Sequence, residues 1–261
     1  ALITDKVNIT PNEVTDFYNA FKYQLPQVKD EVVLSKIVMF PKLTDAHKQE
    51  IIDKLKKIKQ DILNGETFEN KARIYSDDPG SAANGGLYTN IGRGKMVKIF
   101  EATALNLQEG EISDPVESEF GFHIIQLVKK SGKLYDARHI LLKAEPNAEE
   151  IATAKAEMEQ IRKDILEGKI TFKDAAYKHS DDKNTKFNAG VIPAEDGSDR
   201  QEKINLPATV AYQIAGVNKG DLTEVFMDEL NQKKAVVLMK VNDIIPEHSL
   251  DIATDFERIK S

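Results

Sequence analysis

The chain has no cysteine among its 261 residues. Thiolate zinc sites, iron–sulfur clusters, cysteine nucleophiles and disulfides are therefore excluded, although the compartment stays open, because a protein can live in an oxidising space without cysteines. Histidine is scarce as well. The five are scattered; His47, His179 and His248 have no ligand-spaced neighbours and read as solvated, and no metal or other cofactor is expected. Lys and Arg number 36 against 43 Asp and Glu, a net charge of −7. No basic cluster interrupts the mixture, so the electrostatic footprint of a nucleic-acid binder is missing. No apolar run approaches the roughly 18–20 residues of a membrane span. The opening Ala1-Leu2-Ile3-Thr4-Asp5 lacks an initiator Met and a signal-peptide pattern, and reads as a processed or excised chain.

What is present is enough apolar material for real cores, 41% of residues, in a length that suits one large or two modest domains. Self-comparison favours two. Ile58-Lys59-Gln60-Asp61-Ile62-Leu63-Asn64-Gly65 recurs as Ile161-Arg162-Lys163-Asp164-Ile165-Leu166-Glu167-Gly168, an offset of 103. Ser76-Asp77-Asp78 matches Ser180-Asp181-Asp182 and Gly86 matches Gly190 at 104, while Gly110-Glu111-Ile112 matches Gly220-Asp221-Leu222 at 110. The offset grows in small steps, as it does when loops lengthen between fixed elements. The period is too long, and occurs too few times, for a solenoid.

Each repeat has the same order of elements. A strand rich in β-branched residues opens it, 32–40 and 135–142. A long amphipathic helix follows, about 46–64 and 148–167, with Gly65 and Gly168 where a C-terminal glycine belongs. Thr67 and Thr171 are N-caps of a second, shorter helix. The first repeat then has a Gly-rich loop, Asn84-Gly85-Gly86, a third helix near 97–104 and a closing strand over 122–128; the second closes over 235–241. Strands at both ends with helices between imply an α+β unit with an antiparallel sheet. Outside the repeats, Thr10, Pro11 and Glu13 form a capping box ahead of an apolar stripe of Val14, Phe17, Tyr18, Phe21 and Leu25. A second stripe, Ile252, Ala253, Phe256 and Ile259, runs through Leu250–Lys260.

Ser76-Asp77-Asp78, Asn84-Gly85-Gly86-Leu87, Gly94 to Phe100, Gly110 to Val116 and Glu119 to Ile125, in that order and spacing, resemble the parvulin family of peptidyl-prolyl cis-trans isomerases. The second repeat resembles it more weakly but supplies Ala137-Arg138-His139-Ile140-Leu141, close to the parvulin first strand. The likeness covers about four fifths of the chain, and the tandem arrangement with flanking helices is similar to SurA-like periplasmic chaperones. It implies two tandem parvulin-like (FKBP-like) domains, 32–133 and a degenerate 134–246, between an N-terminal linker helix region at 1–31 and the start of a C-terminal helix at 247–261. It also implies a periplasmic isomerase or chaperone for unfolded, proline-containing envelope or secreted clients, with any catalysis in the first domain. The alternative is a non-catalytic module that grips clients in its clefts.

Carried over residue by residue, the family's proline pocket falls on Leu87, Met96 and Phe100, with Phe120 beside it. Its strand histidines fall on Lys36 and His123, its Cys/Asp position on Asp78 and its hydroxyl on Ser118. Lys36 thus stands where the first histidine belongs. In the second repeat His139 and Asp182 remain, read as a remnant, with Ala235 at the second histidine and no recognisable Met/Phe pocket around Gln201–Pro207. The loops after the first strands, Pro41-Lys42-Leu43-Thr44 and Ala144 to Glu150, are short or acidic, so no preference for phosphorylated substrates is expected.

Overall fold

The computed structural model describes residues 10–21, 27–249, 253, 255 and 256. In chain order the elements are α1 (Pro11–Phe21), β1 (Gln27–Val28), β2 (Glu31–Met39), α2 (Asp45–Leu63), α3 (Phe68–Tyr75), β3 (Leu87–Gly92), α4 (Lys98–Leu105), β4 (Val116–Ser118), β5 (Gly121–Ser131) and β6 (Leu134–Lys143). They continue with α5 (Ala148–Leu166), α6 (Phe172–His179), β7 (Arg200–Glu202), α7 (Ala208–Ile214), β8 (Phe226–Leu230), β9 (Lys233–Ile245) and β10 (His248–Ser249). The expected caps form. Thr67 accepts from the Asn70 N–H and Thr171 from the Asp174 N–H, and Glu13 and Thr10 bond reciprocally at the start of α1. Val14 is buried and Phe17 exposed; the side chains of Tyr18, Phe21, Leu25, Ile252 and Ile259 lie outside the described residues.

The chain divides into two compact units, one continuous from Pro41 to Thr153, the other split between the segment up to Phe40 and the segment from Ala154. Each holds a four-stranded antiparallel sheet, in the order β3-β6-β5-β4 in the continuous unit and β7-β2-β9-β8 in the split one. This differs from the expected boundaries at 32–133 and 134–246. The opening strands are exchanged: β2, at the head of the first repeat, pairs with β9, and β6, at the head of the second, pairs with β5. Chain connectivity explains the second pairing. Only Gly132 and Lys133 separate Ser131 from its partner Leu134, and Gly132 has the positive φ of 63° that a two-residue hairpin needs. A hairpin closes a very short loop, whereas pairing β5 with β2 would close one of some eighty residues at greater entropic cost.

In β5 and β6 alternate residues enter opposite layers. Phe122, Ile124, Ile140 and Leu142 pack against Leu55 and Ile58 of α2 and Phe68 and Ala72 of α3. Ile125, Leu127, Tyr135 and Ala137 face the other way, against Phe100 and Ala104 of α4. His123 and His139 share the parity of this second layer. The split unit repeats the plan: Ile37, Val236 and Leu238 meet α5 and α6, while Val32, Leu34, Val38, Val237 and Met239 meet Val210 and Ile214 of α7.

Candidate active site

The site lies within the continuous unit, on the two central strands of its sheet. His123 pairs with Leu141 and His139 with Ile125, so the histidines are diagonal neighbours on one face, within reach of each other's rings. Their Nδ1 atoms are 3.0 Å apart and the rings lie nearly parallel, 18° between planes. The Ser-Asp-Asp turn is fixed to β6: Asp77 N–H donates to the Leu141 carbonyl, and the Leu141 and Lys143 N–H groups donate to Ser76 Oγ and the Asp77 carboxylate. That places Asp78 Oδ2 at 2.7 Å from His139 Nε2, where it also accepts from Ser81 Oγ at 2.7 Å and Tyr88 Oη at 2.8 Å. Ser118 Oγ stands 2.6 Å from His123 Nε2. Gly86 permits the close approach of the loop. Its φ is +81°, its carbonyl accepts the His139 N–H, and a Cβ there would lie 2.4 Å from the His139 carbonyl oxygen.

The hydrogen bond from His139, reinforced by Ser81, Tyr88 and the Gly80 N–H, outweighs burial and holds the Asp78 carboxyl far below the usual range, so it is an acceptor only. His139 then donates through Nε2 and, when neutral, accepts at Nδ1. With His139 in that form, His123 donates from its own Nδ1 and its Nε2 accepts from the Ser118 hydroxyl. Ser118 Oγ in turn accepts from the Phe120 N–H. In that arrangement every hydrogen in the chain runs one way, from Ser118 to Asp78. Burial, and after it the charge on His139, pushes the His123 pKa down to about 4, so its ring is neutral at neutral pH.

Phe100 is buried, its ring nearly perpendicular to both imidazoles, at centroid distances of 5.3 Å to His139 and 6.2 Å to His123. Met96 is part-buried in the same layer; Leu87 is half-buried and Phe120 exposed at 54%. The structure thus brings Asp78, Leu87, Met96, Phe100, Ser118, Phe120 and His123 into the one unit that also contains His139. It does not bring Lys36. That residue pairs with Met239 in the split unit, and its ammonium lies 3.5 Å from Asp182. His139 is therefore no remnant of a second site; it completes the first. Tyr88 and Ser81 escaped the sequence reading, although Thr185, bonded to Asp182 Oδ2 at 2.7 Å and standing at the repeat offset from Ser81, signalled a retained hydroxyl.

The split unit holds the corresponding cleft without the histidines. Its register places Val237, not Ala235, opposite Val38, where the other sheet has His123 opposite Leu141. Leu206 and Val210 stand where the other unit has Met96 and Phe100, so an apolar pocket exists that the sequence reading did not recognise. With Leu34, Ile192 and Met239 they line a cavity of about 280 Å³ that includes Lys36. Burial works against the ionised Asp182, but the hydrogen bond from Thr185, the charge of Lys36 and the Asn184 N–H together lower its pKa. Two other histidines are less solvated than expected: His47 Nδ1 is 2.8 Å from the buried Glu150, and His248 Nε2 is 2.7 Å from the buried Asp255.

A family model described as rotamase, the PPIC-type PPIase domain, matches residues 36–129 and again 139–243. The chain belongs to the PPIC-type peptidyl-prolyl isomerase family. It is 36% identical over 129 residues to foldase protein PrsA of Geobacillus kaustophilus, covering 49% of this chain and 40% of that protein. It is 37% identical over 114 residues to chaperone SurA of Chromohalobacter salexigens, covering 44% of this chain and 22% of the relative. A crystal structure of the peptidylprolyl isomerase PrsA from Bacillus cereus aligns at 30% identity over 68% of this chain and 58% of the other, with a TM-score of 0.30. The chain spans about two fifths of the length of the first curated relatives it matches. Both PPIC matches follow chain order; the exchange of opening strands is seen only in the pairing.

Proposed function

We propose that the continuous unit is a working peptidyl-prolyl cis-trans isomerase for unfolded, proline-containing polypeptides of the cell envelope, and that the split unit does not catalyse. One observation carries this reading: the hydrogen-bonded chain Ser118–His123–His139–Asp78 closes within a single unit. Rotation about an X–Pro bond meets a barrier of about 18–20 kcal/mol because the amide is conjugated, and no covalent intermediate is needed. Leu87, Met96, Phe100 and Phe120 form the apolar wall for the proline ring. The two buried imidazoles, stacked and bonded to each other, make a rigid floor, and the His123 ring in it carries no charge. In such surroundings the twisted amide, which has lost its conjugation and much of its dipole, is favoured over the planar one. Lowering the barrier by about 4 kcal/mol would accelerate exchange roughly a thousandfold.

The periplasm is proposed as the location on the resemblance to SurA-like chaperones. The cleft retained in the split unit, with Lys36 in place of a histidine, favours a holding role there. Exchange-rate NMR on an Ala-Pro-Phe peptide tests the assignment. Wild type and Lys36→Ala should accelerate cis/trans exchange alike, within about twofold, while His139→Ala and His123→Ala should lose at least about tenfold, roughly 1.4 kcal/mol of barrier lowering. Full activity in His139→Ala, or its loss in Lys36→Ala, would overturn the assignment. A phosphorylated Ser-Pro peptide should bind no better than its parent.

A further inference from the structure

Beside the cleft of the split unit, and sharing Leu206 with it, lies a second and larger cavity. It measures about 420 Å³, in the split unit, and its lining includes Val32, Lys203, Ala211, Ile214, Val241 and Ile244. Its volume falls in the range of about 300–1,000 Å³ usual for ligand sites. The repeat explains why it is open. Val32 pairs with Gln201 and Ile244 as Tyr135 pairs with Ile91 and Lys130, and the register shift one residue further along each strand is in the same place, between Val33 and Leu34 and opposite Leu127 and Lys129. Val32 therefore occupies the position of Tyr135. By the same offsets Ala211 occupies that of Glu101, and Lys203 that of Arg93.

In the continuous unit this space is full. Tyr135 is 1% exposed, its hydroxyl meets Glu101 Oε1 at 3.5 Å, and the Arg93 guanidinium lies 5.8 Å from the ring centroid. The split unit has lost the ring and the carboxylate and kept the cation. The vacated space has apolar walls, a lysine in its lining, and Asn218 as a second polar group. Two exposed apolar side chains adjoin it in sequence: Ile204, next to Lys203, is 81% exposed, and Tyr212, next to Ala211, is 79% exposed.

We propose that this cavity binds a tyrosine side chain of an extended polypeptide. The ring enters where Tyr135 sits in the other unit, Lys203 takes the part of Arg93 towards the aromatic ring, and the neighbouring client residues lie over Ile204 and Tyr212. The site is independent of the isomerase assignment, and its occupant is identified by the side chain that fills the equivalent space within this same chain.

Methyl NMR of the full chain tests it, with acetyl-Gly-Tyr-Gly-amide, acetyl-Gly-Ala-Gly-amide and p-cresol as probes. The tyrosine peptide and p-cresol should shift the methyl signals of Val32, Ile214, Val241 and Ile244; the alanine peptide should not. Val32→Tyr refills the cavity as the other unit does and should weaken binding at least tenfold. Ala211→Trp, at an exposed helix position that tolerates a large side chain, should do the same and decides the matter if Val32→Tyr does not fold. His123→Ala should leave binding unchanged. No shift with the tyrosine peptide, shifts with p-cresol alone, or full binding in folded Val32→Tyr or Ala211→Trp would each overturn the proposal.

Discussion

The exchange of opening strands makes a prediction that a chain without cysteine is well suited to test, because engineered pairs meet no competing thiol. Gln126 faces Arg138 across β5 and β6, and Ser35 faces Lys240 across β2 and β9. Antiparallel partners have Cα atoms about 4.5–5.5 Å apart, inside the roughly 4.4–6.8 Å that a disulfide spans. Gln126→Cys/Arg138→Cys and Ser35→Cys/Lys240→Cys should therefore each oxidise within a monomer. The loop closed by the first is that of a short hairpin and gives about 3 kcal/mol by chain entropy; the second closes a loop of some two hundred residues and gives about 5 kcal/mol, both upper limits because strain subtracts from them. For a unit of this size the first gain raises the melting temperature by on the order of 10 °C. Pairing in chain order would instead set Ser35 opposite Gln126 and Arg138 opposite Lys240. Peptide mapping of the oxidised monomer distinguishes the two arrangements. A disulfide in Ser35→Cys/Gln126→Cys or Arg138→Cys/Lys240→Cys, with none in the first two variants, would refute the exchange and the composition of the active site with it.

Two further outcomes follow from the site. An unfolded histidine titrates near 6.5 and His123 in the folded unit near 4, so between those values unfolding takes up a proton. Stability should be full above about pH 6.5, fall as pH drops towards 4 by on the order of 3 kcal/mol, and lose no more from this group below that; urea melts that stay flat down to pH 4 would show that His123 is not held neutral. Asp78, its pKa depressed, adds a loss that begins only as pH falls through the ordinary carboxylate range. Gly86→Ala should cost about 2–4 kcal/mol, because it adds the clash with the His139 carbonyl to a left-handed backbone. Gly94→Ala, with a similar φ of +79° and nothing within 4 Å, should cost only the roughly 1–2 kcal/mol of the backbone; equal melting temperatures for the two would remove the close-approach argument.

Helices and caps were legible because their signals are local. Thr67 and Thr171, Gly65 and Gly168, and the apolar spacing of α2 all act within a few residues. Strand pairing is not local. β2 and β6 carry the same kind of apolar pattern at an offset of 103, and either could serve either sheet, so chain order was the natural assumption and gave the wrong partner for His123. Yet the histidines themselves held the discriminating signal. Paired in chain order, each sheet would bury one histidine of the pair: His123 opposite a strand bearing Lys36, and His139 beside Val237, with no ring to complete the bond between Nδ1 atoms. An unmet hydrogen-bonding group of that kind costs about 1–3 kcal/mol, in two places. The exchange puts both histidines, Asp78 and Ser118 in one unit and both replacements, Lys36 and Val237, in the other. The replacements in the split unit support the proposal that it does not catalyse: Lys36 keeps Asp182 paired without a second imidazole, and Val237, 3% exposed, joins the apolar layer. What the two repeats each lack, taken singly, reads as decay; sorted by the sheet that each residue enters, it is one intact site and one cleft whose polar floor has been rebuilt around a lysine.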